Sequence, residues 1–241
     1  MRIIRTRDYD HMSERAAAVI AAQLTLQPSS TLGLATGSTP LGAYERLVEM
    51  CGAGKVSFAQ AQSYNLDEYR GLAHDDPQSY HHFMWENLFS QVDIDAARTH
   101  VPDGSNEDAA STCANYDAAI EAAGGIDLQL LGIGNNGHIG FNEPGDEFVV
   151  GTHCVDLTES TIKANSRLFE SIDEVPRQAY TLGIGAIMCA RRILVLASGT
   201  AKADAVRAMC YGPVTPTCPA SVLQLHPDCI VIADDDALSA C

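Results

Sequence analysis

What most constrains the fold is a rhythm of short apolar runs separated by longer stretches with helical spacing. Residues 31–35, 126–133, 192–197 and 229–233 are such runs, rich in Leu, Ile and Val. A strand with one wet face alternates apolar and polar residues, whereas a strand buried on both faces need not. The runs therefore predict a parallel sheet covered on both sides, with the intervening helices as crossovers. Further strands are expected at 1–6, 61–66 and 153–157, and helices at 13–26, from Pro40 to about residue 50, and at 78–89, 107–122 and 201–209. No repeat, low-complexity tract or Pro/Gly/Ser linker marks a boundary. The expected fold class is thus α/β: a Rossmann-like doubly wound, mostly parallel sheet with helices on both faces, three layers in all, with residues 1–241 forming one domain. The stretch 140–190 is the least regular.

Charge and cysteine usage remove several function classes. Fifteen Lys and Arg against 31 Asp and Glu leave a net charge of −16. That disfavours a coat for nucleic acid or an anionic membrane, but not an anionic small molecule, which needs only local cations and backbone donors. The N-terminal residues carry positive charge without a following apolar segment, and runs such as 193–197 are far too short to span a bilayer. A cytoplasmic protein is expected. The eight cysteines show no C-x-x-C and no zinc-like Cys/His spacing, so free thiols and no metal are expected.

In doubly wound sheets, ligands bind beyond the carboxyl ends of the strands. Four junctions there are polar or glycine-rich: 36–40, 66–71, 134–145 and 198–202. Thr36-Gly37-Ser38-Thr39 lies between a strand and a helix, where unpaired N–H groups and the helix dipole favour an anion. The pattern fits a phosphate cradle or an ordinary capped turn, and it is neither a P-loop nor G-x-G-x-x-G. Asp67 and Glu68, at the end of a buried strand, have the chemistry of a helix cap, a cation ligand or a general base. Residues 132–145 are the most informative, with five glycines plus His138 and Glu143 in one loop. Such glycine density costs conformational entropy and implies positive φ or close ligand approach. A carboxylate near a histidine raises its pKa and orients it for proton transfer, although a structural histidine bonding loop carbonyls fits the same spacing. Arg167 and Lys202 are candidate phosphate partners or ordinary surface charges. Trp85, with Phe83 and Phe89, is expected in the core.

Taken together, five segments resemble the glucosamine-6-phosphate deaminase family. They are residues 34–40, 65–72, 132–144, 164–167 and 223–227, with Asn142-Glu143-Pro144 the most specific ending. The resemblance spans nearly the whole chain and implies the same doubly wound fold. It implies conversion of glucosamine 6-phosphate and water to fructose 6-phosphate and ammonia, with no cofactor. By that resemblance Asp67 is the base at C2, and His138, Glu143 and Asn136 form the ring-opening group. Thr36, Gly37, Ser38, Thr39, Arg167 and Lys202 would hold the 6-phosphate.

Two departures qualify the resemblance. Position 136 is Asn where some members carry Asp, so it is left to orient by hydrogen bonding. Residues 151–156 carry no Lys or Arg, whereas allosterically activated hexameric members have basic residues there for N-acetylglucosamine 6-phosphate. A monomer or small homo-oligomer without that activation is expected. The competing readings are a 6-phosphogluconolactonase, whose loop ends differently from Asn142-Glu143-Pro144, and a sugar-phosphate-sensing regulator, which would need a DNA-binding helix-turn-helix ahead of the first strand.

Overall fold

The computed structural model describes residues 1–241 apart from 167, 168 and 170. The apolar runs become the centre of a seven-stranded parallel sheet. Its strands are β1 (Arg2–Thr6), β2 (Thr31–Leu34), β3 (Gln62–Asn65), β5 (Thr99–His100), β6 (Leu128–Gly132), β9 (Arg192–Ala197) and β10 (Cys229–Asp234). They lie in the order β1-β10-β9-β6-β2-β3-β5. From β2 the chain builds outward through β3 to β5, then returns to β6 and builds the other way. The order therefore reverses between β2 and β6, where the loops leaving the two strands diverge and open a crevice.

Both faces are dry, as the continuous runs require. Ile193, Val195 and Ala197 of β9 and Val231 and Ala233 of β10 pack on one side, against α4 (Ala109–Ala122), α6 (Ile184–Met188) and α7 (Ala203–Tyr211). The intervening Leu194, Leu196, Ile230 and Ile232 pack on the other side, against α1 (Tyr9–Leu26), α2 (Ser38–Gly52) and α3 (Tyr80–Asn87). Each such buried aliphatic side chain contributes ~1.5–3 kcal/mol, so this two-sided pattern is the main source of cohesion.

Local chemistry sets the helix ends. Asp8 accepts from His11 N–H to start α1, earlier than the apolar pattern at 13–26 suggests, and Asp108 accepts from Ser111 N–H to start α4. Helix α2 begins at Ser38, two residues before Pro40, because Gly37 turns the chain with φ 102°. Helix α3 is shorter than the expected 78–89, and its buried residue is Met84. Trp85, one position on, points outward and is 40% exposed, contrary to the expectation that it joins the core.

The larger departure is a second sheet. Residues 61–66 read as one strand, but the chain leaves the main sheet at Leu66. Leu66 N–H still donates to Leu34 of β2, while its carbonyl accepts from Leu182, the residue just past a strand of the second sheet. There β4 (Asp67–Tyr69) pairs antiparallel with β8 (Gln178–Thr181), which pairs antiparallel with β7 (His153–Asp156). Tyr69, Phe141, Leu157, Ile162, Val175 and Ala179 form its small core. This unit, with α5 (Glu159–Asn165), accounts for the irregular 140–190 region and flanks the crevice.

All eight cysteines are free. Among the described residues no helix is long and apolar enough to cross a membrane.

Candidate active site

All four polar junctions contribute residues to one cavity of ≈ 420 Å³ at the carboxyl ends of the parallel strands. Thr36–Thr39 come from the end of β2, Leu66 and Asp67 from the end of β3, residues 132–141 from β6, and Lys202 from the turn after β9. The size suits a small metabolite.

Part of the cavity lining is suited to an anion. No side chain caps the first turn of α2, so its leading N–H groups are left for a ligand beside Thr36, Ser38 and Thr39. Lys202 lines the same cavity, from a loop tied down by Asp234. That carboxylate accepts from Ser198 Oγ and from Gly199 N–H, and Gly199 turns the chain with φ 88°. Lys202 has no carboxylate within ion-pair distance among the described residues, and burial pushes its pKa down. A half-buried ammonium without a counter-charge is destabilised, which favours an anionic partner. Arg167 lies outside the described residues.

The acid–base groups belong to the same cavity and its surroundings. In the β6 loop, Glu143 Oε1 accepts from Thr161 Oγ1 at 2.6 Å, and Oε2 accepts from Asn136 Nδ2 at 2.6 Å. Asn136 Oδ1 in turn accepts from the His138 N–H at 3.1 Å, tying the loop together. His138 Nδ1 stands 3.4 Å from Glu143 Oε1, within ion-pair reach but without aligned hydrogen-bond geometry. Burial raises the Glu143 pKa, but His138, Thr161 and Asn136 together outweigh it and hold the carboxyl down at about 2. Glycine is required at 134, because a Cβ there would sit 2.3 Å from the His138 ring. Gly140 (φ 58°) turns the loop against Asp67, and Thr181 of β8 buttresses it by accepting from Phe141 N–H at 3.1 Å.

Asp67 and Glu68 have separate surroundings. Asp67 is 7% exposed and faces the cavity, where burial and then the neighbouring Glu68 push its pKa up to about 8. Glu68 points the other way, onto the first turn of α3, and accepts three backbone N–H bonds. Of the readings open at this pair, Glu68 takes the helix cap. A carboxyl titrating near neutrality in a cleft is the kind of group that can both take and return a proton.

The family model described as glucosamine-6-phosphate isomerases/6-phosphogluconolactonase matches residues 7–231. The chain belongs to this family. A glucosamine-6-phosphate deaminase of Clostridioides difficile (strain 630) is 54% identical over 239 residues, covering 99% of this chain and 96% of its own. One from Clostridium perfringens is 52% identical over 237 residues, 98% of each. A solved structure described as a monomeric glucosamine-6-phosphate deaminase of the NagB superfamily superposes with TM-score 0.97 over the full length of both chains, at 43% identity. The 6-phosphogluconolactonase from Trypanosoma brucei shares the fold, with TM-score 0.78 at 19% identity.

Within this glucosamine-6-phosphate isomerase/6-phosphogluconolactonase fold, Thr36–Thr39, Asp67, Asn136, His138 and Lys202 all line the cavity, and Glu143 is bonded to residues that do. Two cavity residues carry no local sequence signal. Thr161 sits in the first turn of the short α5, and Tyr80 opens α3. Only the second sheet brings them to the site. His226, in one of the resembling segments, is structural: it is buried with Nε2 2.8 Å from the Ala190 carbonyl. Among the described residues no cluster of three or more His, Cys, Asp or Glu is placed to hold a metal.

Proposed function

We propose that this chain converts glucosamine 6-phosphate and water into fructose 6-phosphate and ammonia. The observation that carries the reading is the lining of a single cavity, which joins the groups suited to an anion with a buried carboxyl and the histidine of a His–carboxylate pair. A sugar phosphate laid along it has its phosphate at Thr36–Thr39 and Lys202, and Arg167 is assigned to the same group. Fixing that remote dianion holds the reacting carbons in place.

The chemistry follows from the residue types. His138, held by Glu143 and with Asn136 as orienting partner, moves a proton from the anomeric hydroxyl to the ring oxygen and opens the sugar. Asp67 takes the proton from C2 of the open aldehyde while the C2 ammonium gives up a proton to O1, leaving an enolamine, and Asp67 then returns its proton to C1, giving the iminium at C2. Water adds to that carbon and ammonia leaves. The C2 ammonium of the incoming substrate favours the ionised form of Asp67, offsetting its burial. Every step is a proton transfer or hydration, so no metal or organic cofactor is needed.

The reading extends to regulation and assembly. Residues 151–156 offer no cation to an anionic effector, so we assign a monomer or small homo-oligomer with hyperbolic kinetics, unmoved by N-acetylglucosamine 6-phosphate. The deciding assay measures ammonia and fructose 6-phosphate from glucosamine 6-phosphate, with 6-phosphogluconolactone hydrolysis alongside and Asp67→Asn as control. Ammonia release that the variant loses supports the proposal. Lactone hydrolysis without ammonia, or full activity in the variant, overturns it.

A further inference from the structure

The second acid of the Asp67–Glu68 pair has no part in the chemistry above, yet it is the more deeply buried, at 1% exposure. Its carboxylate accepts from the backbone N–H groups of Tyr69 at 2.8 Å, Tyr80 at 2.9 Å and His81 at 2.9 Å. Two of these donors belong to the first turn of α3, so Glu68 bolts that helix to β4. Tyr80, at the head of α3, lines the cavity with Asp67 and is held between Tyr69, with ring centroids 4.7 Å apart, and Phe141, stacked at 6.1 Å. Gly104 packs against the bolt so closely that a Cβ would meet the Tyr69 carbonyl at 2.3 Å and the Glu68 Cγ at 3.1 Å. A surface cap needs neither this burial nor a clamp on both sides.

We infer that Glu68 is a positioning residue for the reaction: its buried carboxylate fixes Tyr80 in the cavity wall and sets a like charge beside Asp67. The inference rests on Asp67 being the base at C2. Fixed geometry at Tyr80 keeps the wall closed next to the reacting carbon, and the adjacent charge disfavours the loss of the proton that Asp67 must carry from C2 to C1. The other groups around the pair are of two kinds. Tyr44 on α2, Tyr80 on α3 and Tyr116 on α4 are all pushed further above neutrality by burial and stay neutral, as does Tyr180, which pairs with Glu68 across β8. Asp76 and His81 lie on the Glu68 side, His138 and Lys202 line the same cavity as Asp67, and Glu143 is bonded to that lining. Glu68 is the acid that directly adjoins Asp67 along the chain; burial pushes its own carboxyl up to about 7 against the three N–H bonds, so the two carboxyls titrate in neighbouring ranges.

The test reads Asp67 itself. In protein labelled with ¹³C at aspartate side-chain carboxyls, the Asp67 signal is the one lost in Asp67→Asn, and its titration midpoint is followed by NMR. Glu68→Gln keeps the size, removes the charge and sets an amide against the His81 N–H. The midpoint is expected to fall by about one pH unit, as for loss of a neighbouring like charge, and kcat to fall about tenfold with KM changed less than twofold. Ser79→Ala removes another cap of the same turn, the bond from His82 N–H to Ser79 Oγ, and leaves the charge in place, so the Asp67 midpoint should not move. An unmoved midpoint in Glu68→Gln, or an equal fall in Ser79→Ala, overturns the inference. If Glu68→Gln does not fold, the wild type still decides: coupled carboxyls give Asp67 a two-step curve, and a single step overturns the inference. Because the NMR needs no turnover, a protein that shows the coupling but releases no ammonia overturns the proposed function and not the coupling.

Discussion

Asn136 donates its side-chain amide to Glu143 Oε2 at 2.6 Å while its own carbonyl oxygen accepts the His138 N–H. One neutral side chain therefore orients the carboxylate and the loop that presents the histidine. An aspartate at this position would bring a second carboxylate against Glu143 with no N–H to offer it. The neutral residue is thus matched to a glutamate held strongly ionised.

Asn136→Asp should push the Glu143 pKa up from about 2, through like-charge repulsion at hydrogen-bond distance. The Glu143 midpoint, followed by carboxyl-carbon NMR, should move to higher pH by about one unit. Thr161→Val, which removes the other donor to Glu143, should move it the same way. NMR titrations of the three proteins check both, and an unmoved midpoint would show that Glu143 is not held through these donors.

Asp67 should make the protein less stable as pH rises. Its folded pKa, raised to about 8 from 3.8, means that the folded state binds a proton the unfolded state has lost. The stabilisation is fully present below the unfolded value and fades through about pH 8, at ~1.4 kcal/mol for each pH unit in that window. Asp67→Asn stays neutral throughout. Its advantage in urea unfolding should therefore open between about pH 4 and pH 8 and stay level above, alongside an activity loss of ~10²–10⁴-fold.

Lys202→Met should weaken phosphate-end binding without touching the acid–base groups. Charge-assisted contacts of this kind contribute ~1.5–3 kcal/mol, which corresponds to a fall in kcat/KM of roughly 10- to 100-fold. Inhibition by inorganic phosphate should weaken in parallel. The variant should also fold at least as stably as the wild type, since a half-buried, unpaired ammonium is removed.

Two glycine substitutions should separate catalysis from folding. Gly134→Ala places a Cβ 2.3 Å from the His138 ring and should depress kcat with a modest change in stability. Gly33→Ala, in the middle of β2, meets the fully buried Gln129 side chain at 2.1 Å. It should cost ~1–3 kcal/mol of stability, as overpacking does, while the molecules that fold keep their kinetic constants. Thermal unfolding and steady-state kinetics on both variants give the comparison.

Much of this was legible in the chain because the signals are local. Residues 192–197 and 229–233 alternate their side chains between two apolar cores, so their place in a sheet covered on both faces follows from their apolar runs. The polar ends of those strands mark the ligand crevice for the same reason, since backbone amides and short side chains gather where strands stop. His138 and Glu143 stand out because glycines surround them. Trp85 was misjudged because helical spacing records which residues share a face but not how short the helix is. Tyr80 and Thr161 were invisible because each reaches the cavity through packing with residues distant in sequence.

By itself, then, the sequence determined a parallel α/β core, a crevice lined by four junctions, and the residue types for anion binding and proton transfer. Periodicity and glycine placement are properties of short segments, and they survive reading one residue after another. The tertiary structure decided how Asp67 and Glu68 divide. The chain changes sheets at Leu66, sending Asp67 to the cavity and Glu68 onto α3. That exchange depends on pairing with β8, more than a hundred residues further on. No local pattern encodes a partner that far away, because the contact exists only once both segments pack against the same core.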